Sequence, residues 1–408
     1  MNKCKLGELL EIKHGYAFKS ENYVEKSQYA LVTLANISGT NNFQFTKEKT
    51  TYYGAKFPEE FILKTGDLIM PLTEQVVGLF GNSAFVPEME NITFVLNQRV
   101  GKVIPKKGKA DIYYLHYLLS TNSVREQLEY RASGTRQRNI SPKDIYDVDV
   151  FVPDYEEQKK IGSTLYKLEQ RVNNNNKINA ELEYMAKTLY DYWFLQFEFP
   201  NEEGKPYKSS GGKMVWNEEL KREIPEGWEI THIGHITICH DSKRIPVSGN
   251  ERENMKGEIP YYGATGIMGY VDKPIFDGDY VLVAEDGSIM DENGNPILQR
   301  ISGKTWVNNH AHVLEPIKGF TCKLLMMCLK DIPVAMIKTG SIQMKINQEN
   351  LNKVPALNIP EPLKEKINVY LSVIDKKILE LQKENQELAK LRDFLLQLLM
   401  NGQVGFKK

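Results

Sequence analysis

The sequence has little of several things, and each shortage removes a class of protein. It has four cysteines in 408 residues, too few for a disulfide scaffold and in keeping with a reducing compartment. No apolar run approaches the roughly 18 residues that a membrane span needs. The opening stretch, Met1 to Leu10, lacks the apolar centre of a secretory leader, so the protein is expected to be cytoplasmic. Charge of neither sign predominates: 52 Lys and Arg face 53 Asp and Glu, a net of −1. That argues against a generally adhesive nucleic-acid coat but leaves room for a local basic surface. What is present, 41% hydrophobic and 26% charged residues, is the composition of a globular chain long enough for two or three domains.

The chain repeats itself. Gly134-Thr-Arg-Gln-Arg-Asn-Ile140 and the residues up to Ile145 match Gly340-Ser-Ile-Gln-Met-Lys-Ile346 and those up to Leu351, at an offset of 206 residues. Asn97 to Pro105 matches Asn308 to Pro316. Gly66-Asp67 matches Gly278-Asp279, and Leu6-Gly7 matches Ile233-Gly234. Order is kept while the offset drifts, as a duplication with altered loops would produce.

After each Gly loop comes a heptad seam. In the first copy Ile161, Leu165, Leu168, Val172, Asn175, Asn179, Leu182, Ala186, Leu189 and Trp193 alternate in steps of four and three. In the second, Ile367, Leu371, Ile374, Ile378, Leu381, Asn385, Leu388, Arg392, Leu395 and Leu399 do the same. Each copy should therefore end in a coiled-coil helix of ~40 residues, roughly 60 Å long. Asn179 and Asn385 hold equivalent seam positions, where asparagine costs stability but fixes register.

The rest of each copy reads as mixed α/β. Tyr29 to Thr33 and Tyr280 to Val283 are expected strands, and Tyr113 to Leu119 and Lys323 to Leu329 short helices. Between the copies, Phe199 to Gly212 reads as a polar linker rich in Gly, Pro and Ser. The expected division is a first recognition domain over 1–153, a long helix over 154–198, a linker over 199–222, a second recognition domain over 223–360 and a second long helix over 361–401. If the helices pack together, the second must run back along the first. The expected architecture is thus two similar α/β domains joined by two long antiparallel coiled-coil helices, with a pseudo-two-fold axis and a head at either end of a rod.

Two heads at a fixed separation suit double-stranded DNA, which pseudo-two-fold proteins read as paired half-sites. Local charge points the same way: Asn97 to Ile145 carries a net of +6 and Arg300 to Lys345 a net of +5. Both stretches contain a Gly loop. Arginine and glutamine read guanine and adenine by two-point hydrogen bonding, and lysine and small hydroxyls hold phosphate. Candidate DNA contacts are Lys19, Gln75, Arg99, Thr135, Arg136, Gln137 and Arg138 in the first copy. In the second they are Tyr261, His310, Lys338, Ser341, Gln343 and Lys345. Because the copies differ, the expected target has two unlike halves.

At these residues the chain resembles the specificity subunits of type I restriction–modification systems. The resemblance is carried by Gly15-Tyr-Ala-Phe-Lys-Ser20, the loop from Gly134 to Ser141, Val152-Pro153 followed by Glu157-Gln-Lys-Lys-Ile161, and the centre from Gly204 through Trp216 to Ile224-Pro-Glu-Gly-Trp228. It spans essentially the whole chain. It implies a bipartite DNA target with an unspecified spacer, docking of two modification (methyltransferase) subunits, and motor-nuclease subunits that join for restriction. It also implies that S-adenosylmethionine is the methyltransferase's cofactor and that ATP and Mg belong to the nuclease, with no cofactor in this chain. The sequence alone does not separate this reading from service to a type IIB-like or solitary modification enzyme. A pure coiled-coil protein scaffold is opposed by the basic loops.

An enzyme would need chemistry that the sequence does not offer. Gly303-Lys304-Thr305 resembles the end of a phosphate loop, but the Gly required five residues earlier is Leu298. Pro153-Asp154 with Glu157-Gln-Lys159 mimics a nuclease signature at far too short a spacing, and reads better as acids favoured at a helix N-terminus. His310-Ala-His312 would share a strand face as a zinc pair, without the rest of a metal motif. The chain is expected to be non-catalytic and metal-free.

Overall fold

The structure, a computed structural model, describes residues 1–37, 42–340 and 344–406. Two compact units divide the chain, Met1–Asn174 with Glu384–Lys408, and Asn175–Lys383.

In the first unit the strands Leu10–His14, Val100–Pro105, Leu68–Pro71 and Ala84–Phe85 form an antiparallel sheet in that order. A second sheet orders Tyr23–Val24, Tyr52–Tyr53, Tyr29–Val32 and Thr93–Leu96, the last pair parallel. The second unit has one six-stranded sheet, in the order Thr237–Cys239, Ala311–Pro316, Phe276–Ala284, Leu298–Val307, Ile259–Tyr262 and Ile267–Val271. Short helices cover the sheets where the sequence places them, Ile112–Leu119 and Cys322–Lys330. Each starts on a side-chain cap: Asp111 accepts the Tyr114 N–H at 3.0 Å, and Thr321 that of Leu324 at 3.3 Å.

The repeat is visible in how the units close. Strand Asn2–Lys5 pairs with Asp149–Val152, and the Leu6 N–H then donates to the Val148 carbonyl at 2.8 Å. Strand Glu229–His232 pairs with Pro355–Asn358, and Ile233 donates to Val354 at 2.9 Å. Glycine follows in both because the chain behind is close. A Cβ on Gly7 would sit 2.6 Å from the Tyr146 Cβ, and one on Gly234 2.8 Å from the Asn352 Cβ.

Helix α1 spans Tyr155–Tyr190 and ends in a π-helical turn, Asp191–Leu195; helix α2 spans Glu361–Met400. Each begins in one unit and ends in the other. The Asp154 carboxylate caps α1 by accepting the Glu157 N–H at 2.9 Å. In the first unit Ile161 and Leu165 share a core with Leu399 and Met400, and Arg171 meets Glu384 at 2.7 Å. In the second unit Ala186 and Tyr190 share a core with Ile367 and Leu371. Numbers rise along one helix as they fall along the other, so the helices run antiparallel within each unit. The seam residues of both helices are buried or half-buried, Asn175 completely so. Each fully buried Leu or Ile in such a seam stabilises by roughly 1.5–3 kcal/mol.

The stretch expected as a polar linker is folded. Phe199 is buried between the rings of Tyr207 and Trp228, at 4.7 and 5.1 Å between centroids. A hairpin of Met214–Asn217 and Arg222–Pro225 follows. The Gly, Pro and Ser content signalled turns, but the interleaved aromatic residues have a core to enter. No helix among the described residues is long and apolar enough to cross a membrane.

Candidate nucleic-acid interface

Backbone hydrogen bonds set four loop ends of the first unit side by side. Gln98 N–H donates to the Tyr16 carbonyl at 2.9 Å, Leu72 N–H to that of Arg99 at 2.9 Å, and Ile140 N–H to that of Leu72 at 3.0 Å. The row therefore runs from the segment at Tyr16, through the turn Asn97 to Arg99 and the strand end Leu72 to Gln75, to the Gly134 loop. Close approach explains Gly15, where a Cβ would lie 2.0 Å from the Asn97 carbonyl oxygen. The loop turns at Gly134, φ +115°, where a Cβ would meet the Gln137 carbonyl oxygen at 2.1 Å. Five candidates, Gln75, Arg99, Thr135, Arg136 and Gln137, sit on this row, and all but the half-buried Gln137 are exposed. Lys19 follows the Tyr16 segment, exposed, with Glu21 at 3.8 Å.

Arg138 is the exception. Its guanidinium pairs with Glu74 at 2.9 Å, donates to the Glu129 carbonyl at 2.5 Å and lies over the Phe80 ring. An arginine held by a carboxylate that is 1% exposed is a brace for the loop, not a free base reader. Gln137 is partly engaged too, donating to Asn139 at 3.3 Å.

The second unit repeats the row. Two of the three bonds recur at matching positions, Glu285 N–H to the His310 carbonyl at 2.8 Å and Ile346 N–H to that of Glu285 at 2.9 Å, while Asn308 N–H donates to the Tyr262 carbonyl of a different strand at 3.0 Å. The turns match in detail: His310 N–H donates to the Asn308 side chain at 2.8 Å, as Arg99 N–H does to Asn97 at 3.3 Å. His310 and Lys345 are exposed and share one carboxylate, Asp286, at 2.5 and 3.3 Å. Lys338 is exposed opposite Ile346 in a two-stranded antiparallel ladder. Ser341 and Gln343 lie outside the described residues.

Tyr261 is a correction. It is 2% exposed, stacked on Trp306, and its hydroxyl donates to the Val247 carbonyl at 3.4 Å. It has no face left for a base. The zinc pair also dissolves. His310 lies in a turn and faces Asp286, whereas His312 is buried against Asp241 at 2.5 Å.

The Cys239, Asp241 and His312 ligand atoms do lie within 4.8 Å of one another. The surroundings do not suit a cation. Arg244 sits 3.3 Å from Asp241 and 2.6 Å from Glu285. The second nitrogen of His312 faces the Ile346 carbonyl at 2.8 Å, so both ring nitrogens meet acceptors. Burial opposes charge on this ring, but the hydrogen bond and charge of Asp241, with Ile346 and Glu285, outweigh it and raise its pKa. Burial pushes the Cys239 thiol up to about 12. The group is an ion-pair network under the row, one that ties Ile346 to the sheet.

Counting charge along the sequence overstated the basic surface. Lys102 is paired with Asp67, Lys323 with Glu183, and Arg300 with Asp279 and Asp375. Arg125 donates to Asn82. These cations serve the fold. The cations left on the first row are Arg99 and Arg136, with Lys19 beside them.

A Ser–His–Glu series in the first unit has the order of a hydrolase triad. Ser83 Oγ is 2.8 Å from His116 Nδ1, and His116 Nε2 is 3.5 Å from Glu169. Ser83 and His116 are 0% exposed and Glu169 7%, with Tyr117 donating to Glu169 at 2.8 Å. A nucleophile sealed in the core has no substrate, so this is a buried structural network rather than a catalytic one.

The sequence reading passed over Glu74, the exposed pair Val76 and Val77, and the Asp241–Arg244–Glu285 network. A lone acid closing the apolar run Leu68 to Leu72 was the available signal for Glu74.

Residues 1–184 and 225–390 match the family model described as type I restriction modification DNA specificity domain. The chain is 28% identical over 327 residues to the type I restriction enzyme MjaIX specificity subunit of Methanocaldococcus jannaschii, covering 76% of this chain and 72% of that one. It is 31% identical over 151 residues to a putative type I restriction enzyme specificity subunit of Haemophilus influenzae, 36% and 37% of the two chains. A crystal structure of a type I restriction-modification system S subunit from M. genitalium aligns over 98% of this chain and 95% of that one, with a TM-score of 0.58 at 18% identity, a likeness of fold.

Proposed function

Because the chain belongs to the type I restriction modification DNA specificity family, we propose that it is the non-catalytic subunit that chooses the DNA sequence its complex acts on. Each unit binds one half of a bipartite target. The observation that carries this reading is the doubled row of loop ends, joined by two equivalent backbone bonds in each unit but tipped with unlike side chains: Arg99, Thr135 and Arg136 in one unit, His310 and Lys345 in the other. Equivalent frames give equivalent docking on a duplex, and unlike tips give unlike half-sites.

The spacer between the halves is set by α1 and α2, the two helices shared between the units. Two methyltransferase subunits dock on the complex and supply S-adenosylmethionine and the pocket for a flipped adenine. Exposed apolar side chains on the helices support docking: Leu391 and Phe394 in the first unit, Tyr184, Val369 and Val373 in the second. Motor-nuclease subunits, with ATP and Mg, complete a restriction complex that works in the cytoplasm.

The test is single-molecule methylome sequencing of host DNA with the gene intact and deleted. Loss of one adenine-methylated motif with two unlike halves is the expected result. An unchanged methylome in a strain that expresses the protein would overturn the reading.

A further inference from the structure

Val76 and Val77 are 79% and 68% exposed, next to each other in the turn after Glu74. Single exposed aliphatic residues are ordinary, but an adjacent pair at a loop tip is a small apolar patch held in water. The turn is braced. The Glu74 carboxylate accepts the N–H groups of Leu79 and Phe80 at 2.9 and 3.2 Å, and Phe80 is completely buried. Gly78, φ +104°, lets the chain double back.

The neighbours of the patch are polar and basic. Glu74 pairs with Arg138 and Thr73 with Asn139. Gln75 follows Glu74 directly, and Arg136 and Gln137 lead into Arg138 on the partner loop. Valine also has few rotamers to lose on contact. In the second unit, where Glu285 makes the bonds that Leu72 makes here, the matching positions are Ile289, which is buried, and Met290, so no exposed adjacent pair stands there. The apolar tip is thus a property of one unit and one half-site.

A stiff aliphatic tip flanked by an arginine and two glutamines matches the major groove. There the apolar group on the base edges is the thymine C5-methyl, lying among hydrogen-bonding groups that Arg and Gln read. On the reading of this chain as a DNA target reader, we infer that Val76 and Val77 contact thymine methyl groups in the half-site of the first unit and specify T·A pairs there. Arg136 and Gln75 supply the polar contacts on either side.

The experiment uses the full chain in complex with its methyltransferase subunits. A motif is first selected from random duplexes, and each thymine in it is then replaced singly by deoxyuridine, which removes only the methyl group. At one or two positions of one half-site, uracil should weaken binding about fourfold, the worth of one methyl withdrawn from an apolar contact. The V76S/V77S chain should bind the thymine and uracil duplexes equally at those positions. It should still select the other half-site, which shows that it is folded. Equal binding of thymine and uracil throughout by the unaltered chain would overturn the inference. So would a V76S/V77S chain that keeps the discrimination, or one that loses affinity evenly for all duplexes because the valines dock a subunit. Failure to select any motif would instead overturn the underlying reading of the chain as a target reader.

Discussion

Glu74 and Arg138 form an ion pair at 2.9 Å across the two-residue ladder that joins the Gln75 turn to the Gly134 loop. The same carboxylate caps the N–H groups of Leu79 and Phe80, so one side chain braces both loops. Glu74→Ala removes a buried charge and leaves Arg138 without its counter-ion, which should cost about 3 kcal/mol. Glu74→Gln keeps an oxygen for the two N–H groups and should cost about half as much. Urea unfolding of the full chain measures both. Equal losses would show that the charge, not the capping hydrogen bonds, braces the loops.

Arg136 stands exposed at the tip that Arg138 supports. Arg136→Ala should relax recognition at one position of one half-site by about 1–3 kcal/mol if the guanidinium reads a base. Binding to duplexes altered one pair at a time gives the answer. A uniform loss over all sequences, with a shallower salt dependence, would make Arg136 a phosphate contact instead.

The helices and the repeat were legible in the sequence because their signals are local. A heptad seam is written in consecutive residues, and Gly7 and Gly234 mark the same close approach in the two copies, against Tyr146 and Asn352, which match at the 206-residue offset. The row of loop ends was only half legible. Arg99 and Arg136 could be named, but their adjacency is made by bonds from Leu72 to Arg99 and from Ile140 to Leu72, far apart in sequence. Charge misled for the same reason. Nothing near Arg138 in the sequence announces Glu74, and nothing near Lys323 announces Glu183. Tyr261 was misplaced because its exposure depends on Trp306, on a strand paired in parallel with its own.

Lys323 is 1% exposed and is neutralised by Glu183 of α1 within the second unit. The two partners are not equivalent. Glu183→Ala leaves an ammonium group buried without a counter-charge and should cost about 3–5 kcal/mol. Lys323→Met removes the charge, keeps the volume and leaves Glu183, a third exposed, free to be hydrated, so it should cost less than half as much. Chemical denaturation of the two variants gives the order, and a costlier Lys323→Met would show that the lysine's hydrogen bond matters more than its burial.

His312 makes the stability of the second unit depend on pH in a definite direction. Its pKa is raised above 6.5 in the folded chain, so the folded state holds the proton more tightly than the unfolded one. That contribution is complete below about pH 6.5 and is lost as pH rises through the raised value. Asp241 moves the other way: burial would raise its pKa, but His312, the Val313 N–H and Arg244 lower it below 3.8. Its contribution is present above about pH 3.9 and is lost as pH falls through the lowered value. The pair therefore stabilises most between about pH 4 and 6.5. His312→Gln should lose the most relative to the natural chain near about pH 6 and less near about pH 9, because the histidine's contribution falls as pH rises through its raised pKa. Urea midpoints of both chains at the two pH values measure the difference. Because the ring also holds the Ile346 carbonyl at 2.8 Å, the protection of the Lys345 and Ile346 amides, measured against their intrinsic exchange rates at each pH, should fall in the natural chain over the same rise in pH. An unchanged gap between the two chains would mean that His312 is neutral in the fold and serves only as a hydrogen-bonding spacer.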